Sequence, residues 1–380
     1  MSAETSRGPL GGIRVLEIAS AAPAPFACMM LSDLGADVVT LDRPTKPGRQ
    51  PRRPSDPLKR GRRSVAADLK SSEGTALVRR LAATADVVVE GFRPGVMERL
   101  GLGPDPLLKL NPGLIFARMT GYGQQGPLSM RAGHDINYIA VAGALEPIGR
   151  AGQSPLPPLN LVGDFGGGGM LLAVGILAAL HERTRSGRGQ VVDAAMVDGA
   201  SLLTAFLHGM RAEGNWADER GTNLLDGGAP FYDTYETSDG GYMAVGALER
   251  RFYQQLLIGL GLEGDPELPG QMDRDRWNEL RARFATIFAS RTRAQWSQTF
   301  AELDACVSPV LAPSEVADAE HTKARAGFVD VDGVSQPAPA PRFSRTPAIT
   351  PSAPRVPGED TENVLAEWLS ANRGGEAVAL

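Results

Sequence analysis

The chain has 380 residues, of which 42% are hydrophobic and 22% are charged. These values suit a folded protein of two or three domains and exclude a disordered chain. Cys28 and Cys306 are its only cysteines, too few for a disulfide scaffold or a cysteine-based metal cage. The net charge of −5 argues against a continuous nucleic-acid surface. The N-terminal segment MSAETSRGPL has no apolar signal core, so we expect a cytoplasmic protein.

Predicted strands and helices alternate along the first 120 residues. Apolar runs predict strands at 13–18, 37–41, 64–69, 86–90 and 114–119, and helical spacing predicts helices at 26–34 and 71–83. This alternation is typical of an α/β fold with a mostly parallel, Rossmann-like sheet, in which ligands bind near the carboxyl ends of the strands.

The remaining elements predict a second, smaller α+β domain. A helix at 168–184, a strand at 191–196 and a helix at 198–210 complete the first part of the large domain. We predict further strands at 242–247 and 307–311, and helices at 249–260, 274–289, 293–305 and 361–371. The expected division is 1–212 for the large domain, 228–318 for the small domain and 319–380 for a proline-rich return segment that completes the large domain. The apolar stretch 165–180 contains four consecutive glycines and is flanked by charges, so a buried helix is favoured over a membrane span.

Residues 42–63 form a basic segment on an otherwise acidic chain. Nine Lys or Arg stand there against two Asp or Glu. The segment fits a solvated loop, a nucleic-acid patch or a phosphate site, and its prolines exclude a helix. From composition alone, the solvated loop is favoured.

Residues 121–126 (GYGQQG) match the G-x-G-x-x-G pattern of dinucleotide-binding loops. That fingerprint requires a helix to open at the third glycine, whereas here Pro127 follows. The pattern therefore predicts a tight loop rather than a nicotinamide site.

Asp164 stands directly before an apolar helix and is followed by the four glycines 166–169. Aspartate at such a place usually caps the helix. Glycines there would also let a ligand approach free backbone N–H groups, beside which a carboxylate could act as base or nucleophile. The two interpretations are evenly matched on this argument.

His134 differs in setting from the other three histidines. His181, His208 and His321 lie within or beside helices or in a charged run, where surface or packing roles suffice. His134 lies at an expected helix start, where a loop could present the imidazole to a cleft. Taken singly, a structural role is still favoured.

Eight motifs are spread along most of the chain: GIRVLE (12–17), LGADVV (34–39), RRSVAADLK (62–70), GFRPG (91–95), GYGQ (121–124), GHDINY (133–138), NLVGDFGGG (160–168) and GRGQVVDAAMVDG (187–199). By these motifs the chain resembles the family III coenzyme A transferases and, within that superfamily, the α-methylacyl-CoA racemases along most of its length.

The resemblance implies a two-base racemase that inverts C2 of a 2-methylacyl-CoA thioester. His134 would exchange the α-proton on one face and Asp164 on the other, through an enolate stabilised at the glycine-rich helix N-terminus. Glu249 matches a family glutamate that supports the histidine, although a first-turn helix carboxylate is its ordinary reading. Because Glu249 falls in the predicted small domain, the site should lie where the domains meet.

The resemblance also implies an interlocked homodimer and a binding site for the CoA moiety of the substrate. It implies no metal, nicotinamide, nucleic-acid or membrane partner, and it assigns part of the basic segment to the CoA phosphates. Methionine and aromatic side chains suit the acyl group. The CoA-binding positions carried over are Arg43, Ala67, Asp68, Leu69, Lys70, Gly91, Phe92, Arg93, Arg99, Gly133, Asp135, Ile136, Asn137 and Tyr138.

Two other functions compete with the racemase. A family III CoA transferase would use Asp164 as a nucleophile and form a mixed anhydride, and a CoA-binding protein would carry out no reaction. The His134 motif favours the racemase, because the transferases do not need a histidine opposite the aspartate.

Overall fold

The structure is a computed structural model that describes residues 8–18, 22–45 and 52–370. The predicted N-terminal segment before residue 8 and Lys46 and Arg49 of the basic segment lie outside the described residues. Contacts divide the chain into two compact units. The first unit holds the described residues up to Ala142, then Leu159–Leu203 and those from His321 onward; the second holds Gly143–Pro158 and Thr204–Glu320.

The first unit is built on a six-stranded parallel sheet with the strand order β3-β2-β1-β4-β5-β6. The predicted α/β, Rossmann-like fold is confirmed. The order reverses between β1 and β4, which is where such sheets form a ligand crevice at their carboxyl ends. The strands are β1 (Arg14–Ile18), β2 (Asp37–Asp42), β3 (Arg63–Ala66), β4 (Val87–Glu90), β5 (Ile115–Thr120) and β6 (Gln190–Ala195).

Helices cover both faces of this sheet, because successive strand side chains point to opposite faces and are apolar on both. Val15 packs into one buried cluster and its neighbour Leu16 into the other. The helices are α1 (Pro23–Asp33), α2 (Ser72–Thr84), α3 (Val96–Arg99), α4 (Pro104–Leu110), α5 (Asp135–Val141), α6 (Leu171–Ser186) and α7 (Met196–Leu203).

A ten-residue π-helix, Leu161–Met170, precedes α6, so helical structure begins seven residues before the predicted start. The combined helix Leu161–Ser186 is long and apolar enough to cross a membrane by length and composition, with a mean hydropathy of 1.7 over its most apolar window. Core helices pass the same test, and Leu172, Ile176 and Leu180 of this helix lie in the buried cluster beside β1.

The second unit has a three-stranded antiparallel sheet in the order β7-β8-β9 and an aromatic core around Phe284 and Trp296. Its segment Gly143–Pro158 falls within the predicted large domain 1–212 but belongs to this unit. Arg220 holds it, because its guanidinium donates to the carbonyl oxygens of Glu146 at 2.7 Å and Gln153 at 2.5 Å. The elements are α8 (Ala205–Ala212), β7 (Tyr232–Glu236), β8 (Tyr242–Gly246), α9 (Arg250–Leu260), α10 (Trp277–Phe288), α11 (Arg293–Phe300), β9 (Val307–Pro309) and α12 (Pro313–Val316).

The chain then returns to the first unit. It forms α13 (Glu320–Ala324), the antiparallel hairpin β10 (Phe328–Val331) and β11 (Val334–Pro337), and α14 (Thr361–Ser370). Trp368 of α14 is fully buried, and its Nε1 donates a 2.8 Å hydrogen bond to Oδ2 of Asp37 at the start of β2. The last described helix therefore packs into the core of the parallel sheet.

Candidate active site

A cavity of about 530 Å³, here called the reaction cavity, lies at the carboxyl ends of β4, β5 and β6. Both residues predicted to exchange the proton, His134 and Asp164, line it. Six of the predicted CoA-binding residues line it too: Gly91, Phe92, Arg93, Gly133, Asn137 and Tyr138.

His134 is the residue immediately before α5, as its predicted place at a helix start requires. Its backbone N–H donates a 3.0 Å hydrogen bond to Oδ1 of Asn137, and the Asn137 N–H donates to the His134 carbonyl oxygen at 2.8 Å. On the His134 side, these hydrogen bonds involve only the backbone. Its imidazole is exposed, so the loop before α5 positions it and the buried core does not.

Asp164 lies inside the first turn of the π-helix, and Asn160 occupies the N-cap position that the cap interpretation had given to the aspartate. The Phe165 N–H bonds the Asn160 carbonyl oxygen at 3.3 Å, which is the i→i−5 spacing of a π-helix. Short π-helical turns occur frequently at functional sites. The cap interpretation of Asp164 is therefore wrong.

The pKa of Asp164 is raised above the usual range of aspartate, chiefly because burial disfavours the charged carboxylate. A 3.1 Å hydrogen bond from Nδ2 of Asn160 to its Oδ2 lowers the pKa in opposition. The nearby charge of Asp135 raises it further, and His134 lowers it. A carboxyl group with a raised pKa in a cavity is a candidate for proton transfer.

The glycines after Asp164 are required by packing against neighbouring helices, a role that the sequence argument did not include. A Cβ on Gly167 would lie 2.6 Å from the backbone nitrogen of Ala200 in α7, and one on Gly169 would lie 2.7 Å from the Pro23 carbonyl oxygen in α1. Side chains at these positions would push the helices apart. The glycines thereby place the turn that carries Asp164 close to α1 and α7.

The residues 121–126 form a loop from which no helix opens before Asp135, so the tight-loop prediction is confirmed. A Cβ on Gly121 would lie 2.1 Å from the ring of Tyr138, and the Tyr138 hydroxyl donates a hydrogen bond to the Gly133 carbonyl oxygen. Tyr122 packs edge-on against the same ring, with centroids 4.9 Å apart. Burial raises the pKa of Tyr138. The aromatic pair fixes the loop that precedes His134.

A second cavity of about 530 Å³, here called the outer cavity, lies at the carboxyl ends of β1, β2 and β3. Phe92 lines both cavities. Five more predicted CoA-binding residues line the outer cavity: Arg43, Ala67, Asp68, Leu69 and Lys70.

Three of the predicted CoA-binding residues line neither cavity. Arg99 is the exposed last residue of α3, and the side chain of Ile136 is exposed on α5. The Asp135 side chain is buried, with 6% of its surface accessible. For Asp135, a direct contact between its carboxylate and CoA does not fit this burial.

Several arginines of the basic segment hold the fold together, so the predicted phosphate role falls to other cations of the segment. Arg60 and Asp33 form a buried two-bond ion pair, with nitrogen to oxygen distances of 3.1 and 2.6 Å. Arg62 pairs with the buried Glu17 of β1. Arg63 pairs in the same two-bond manner with Asp37. In this segment Arg43 is the described cation that lines the outer cavity.

Glu249 belongs to the second unit and is the exposed residue immediately before α9. Its carbonyl oxygen accepts the Tyr253 N–H at 2.9 Å, as expected at the start of a helix. Its support of His134 stays a prediction.

The structure adds site residues that the sequence analysis did not assign. Met119 at the end of β5 and Met196 at the start of α7 line the reaction cavity. Asn160 bonds the Asp164 carboxylate, a contact that its position four residues earlier in a helical turn could have suggested. In the part of the chain that the structure describes, no three His, Cys, Asp or Glu side chains are grouped to hold a metal ion.

The fold and the two cavities define an α/β protein with a ligand crevice along the carboxyl edge of its sheet. Residues 10–361 match the sequence profile of CoA-transferase family III, and the chain belongs to this family. It is 52% identical to the alpha-methylacyl-CoA racemase of Mus musculus over 94% of this chain and 93% of that protein, and 50% identical to the Homo sapiens racemase with the same coverage. The crystal structure of a CAIB/BAIF family protein from Brucella suis superposes with a TM-score of 0.79 at 27% identity, covering 95% of this chain and 99% of that one.

Proposed function

We propose that this chain interconverts the (R) and (S) forms of 2-methylacyl-CoA thioesters by exchange of the α-proton, an isomerase activity. The observation that carries the proposal is the presence of His134 and Asp164 in one cavity of a chain about half identical to two α-methylacyl-CoA racemases. A reaction that inverts a carbon needs a proton-exchanging group on each of its faces. One imidazole and one carboxyl group meet that requirement.

The proton and electron balance of the reaction requires no oxidant or metal. One group removes the C2 proton, and the electron pair of the C–H bond moves into the thioester to form an enolate. The other group then donates a proton to C2 from the opposite face, and the reverse reaction exchanges the two roles. Each positioned acid or base contributes on the order of 10²–10⁴-fold in rate. The CoA moiety of the substrate is the only cofactor group in this scheme.

The enolate is assigned to the N-terminal end of the helix Leu161–Ser186, where the partial positive charge of a helix dipole favours an anion. The N–H of Asp164 itself is bonded to Asp135, so this donor is engaged before substrate binds. The helix dipole would therefore act on the enolate without the Asp164 N–H as a direct donor.

We assign the CoA moiety to the two cavities that share Phe92. Arg43 and Lys70 in the outer cavity suit the adenosine phosphates, since cations form strong charge-assisted hydrogen bonds with phosphate. The pantetheine arm would pass Phe92 and deliver the thioester to His134. Met119 and Met196 offer an apolar and adaptable surface to the acyl group.

An interlocked homodimer, with Glu249 supporting the histidine, completes the proposal. Apolar side chains exposed on α6 and α7 support an association, because Val174, Leu202 and Leu203 are 62%, 64% and 57% exposed. Light scattering on a gel-filtration column measures the mass directly. A monomer at micromolar concentration that racemises at full rate would contradict the dimeric site.

The test of the activity uses one enantiomer of a 2-methylacyl-CoA in deuterated buffer without an acceptor acid. Proton NMR follows deuterium incorporation at C2 together with the loss of enantiomeric purity. We expect both, with equal final amounts of the two enantiomers. Neither change, followed by CoA transfer when carboxylic acids are added, would establish instead the transferase in which Asp164 attacks the acyl group.

A further inference from the structure

The side chain of Asp135 links the two residues proposed to exchange the proton. Asp135 follows His134 directly and is the first residue of α5. Its Oδ2 accepts a 2.6 Å hydrogen bond from the backbone N–H of Asp164. The bond therefore ties the turn that carries one proton-exchanging residue to the helix that begins beside the other.

The Asp135 carboxylate packs closely against Gly163. A Cβ on Gly163 would lie 2.5 Å from Oδ2 and 2.8 Å from Cγ of Asp135, so only glycine leaves space for the carboxylate. The other oxygen, Oδ1, is buried and has no hydrogen-bond partner among the described residues. A buried acceptor without a hydrogen-bond partner is destabilising, and such a group in a native structure calls for an explanation other than stability.

Asn160 contacts a different part of Asp164, its side-chain carboxylate. Its Nδ2 donates to Oδ2 of the Asp164 carboxylate at 3.1 Å. Asp135 thus holds the backbone of Asp164, and Asn160 holds its carboxylate. The orientation of the carboxyl group towards the cavity depends on both contacts.

The two contacts have opposite electrostatic effects. The hydrogen bond from Asn160 stabilises the charged carboxylate and lowers the pKa of Asp164, whereas the negative charge of Asp135 raises it. His134 also faces Asp164 and lowers its pKa, and Tyr138 lies close enough for its own pKa to be raised by the Asp164 charge.

We propose that Asp135 and Asn160 are a pair of positioning residues, which hold Asp164 opposite His134 by its backbone N–H and by its carboxylate. The proposal deepens the racemase function and rests on it. A two-base exchange needs one proton shared between His134 and Asp164, so a second proton on these two groups stops the reaction at low pH. The acidic limb of the pH profile of kcat/KM reflects the coupled ionisation of His134 and Asp164. It follows chiefly the more acidic group, Asp164.

The test is the pH dependence of kcat/KM for racemisation in wild type and two variants. Asp135→Asn keeps an amide oxygen for the Asp164 N–H but removes the charge, so we expect the acidic limb to move to lower pH. Asn160→Ala removes the donor, so the limb should move to higher pH, with a fall in kcat and little change in KM. Asp105→Asn, at an exposed position of α4, is the matched control and should leave the profile unchanged.

A second measurement does not depend on turnover. The Asp164 carboxyl carbon is labelled with ¹³C, assigned by its loss in Asp164→Asn, and titrated in both variants without substrate. Titration midpoints that move in opposite directions in the two variants support the positioning roles of Asp135 and Asn160. They do so even if neither the wild type nor the variants catalyse racemisation, and in that case only the proposed function fails. Midpoints that stay unchanged, or move in the same direction, overturn the positioning roles. Asn160→Ala alters a partly exposed side chain and carries the test if Asp135→Asn does not fold.

Discussion

The buried carboxylate of Glu90 accepts a 2.8 Å hydrogen bond from the backbone N–H of Phe92, the residue that lines both cavities. Its other oxygen accepts the Nε–H of Arg118, also at 2.8 Å, across the register of β4 and β5. Burial raises the pKa of Glu90 against the effect of these bonds. The loop after β4, on which the CoA arm is proposed to rest, is thus held by a buried ion pair inside the sheet.

Glu90→Ala should destabilise the fold and weaken substrate binding together. Removing one partner of a buried ion pair costs about 3–5 kcal/mol, and loss of the Phe92 contact should raise KM. Urea unfolding and initial rates measure the two effects. Glu98→Ala is the control, because Glu98 bonds the other side of Arg118 but its side chain is 44% exposed. Its removal should cost no more than about 1 kcal/mol, and equal losses in both variants would contradict the role of burial.

Asp164→Ala should reduce racemisation by on the order of 10²–10⁴-fold while CoA binding is retained, since a positioned acid or base contributes that range. Deuterium exchange measures the reaction, and calorimetry measures CoA affinity. Asp105→Ala on the exposed face of α4 should behave as wild type. Undiminished racemisation by Asp164→Ala would end the two-base assignment.

Arg43 and Arg99 should differ in what they recognise. Arg43 lines the outer cavity, so Arg43→Ala should raise KM for CoA esters and for their 3′-dephospho analogues alike. Arg99 is exposed at the end of α3, and Arg99→Ala should raise KM only for esters that carry the 3′-phosphate. Steady-state kinetics with both substrates checks the comparison. An equal rise in KM with CoA esters and with their 3′-dephospho analogues would contradict a contact between Arg99 and the 3′-phosphate.

Arg60→Ala should lower the free energy of unfolding by about 3–5 kcal/mol, because it leaves the Asp33 carboxylate buried and unpaired. The KM of the folded variant should stay the same, since Arg60 is one of the arginines of the basic segment that hold the fold together. Arg53→Ala breaks a 3.6 Å pair with Asp332 between exposed side chains and should cost at most about 1 kcal/mol. Thermal unfolding and CoA titration separate the two roles; a large rise in KM for Arg60→Ala would restore the phosphate assignment.

Gly163→Ala should lower kcat on the order of 10²-fold, because a displacement near 1 Å of a catalytic group has effects of that size. The added methyl group would meet the Asp135 carboxylate at 2.5 Å and push it from the Asp164 N–H. Gly209→Ala in α8 has no atom within 4 Å of the new carbon, and alanine there should stabilise the helix by roughly 0.5–1 kcal/mol. Equal kcat values in the two variants would show that Asp135 has no influence on Asp164.

Local sequence patterns determined the parallel sheet, and the family resemblance determined the two proton-exchanging candidates. The β-branched runs that became β1, β2 and β4 alternate with helical spacing, and that periodicity depends only on neighbouring residues. The local settings of His134 and Asp164 left a structural role open for each, and only the combined motifs of the family pointed to proton exchange. Strand β7 was not predicted, because its sequence YDTYE has few apolar residues to mark a strand.

The tertiary structure decided which charged residues hold the fold and which face the site. Arg60 and Arg62 are paired with carboxylates 27 and 45 residues away, so composition alone could not separate them from Arg43. Asp135 meets the Asp164 backbone across 29 residues, and its burial is the reason we propose a positioning role for it in place of the predicted CoA contact. Ion pairs and buried hydrogen bonds form between residues that folding brings together. The spacing of these residues along the chain does not show which of them will be partners.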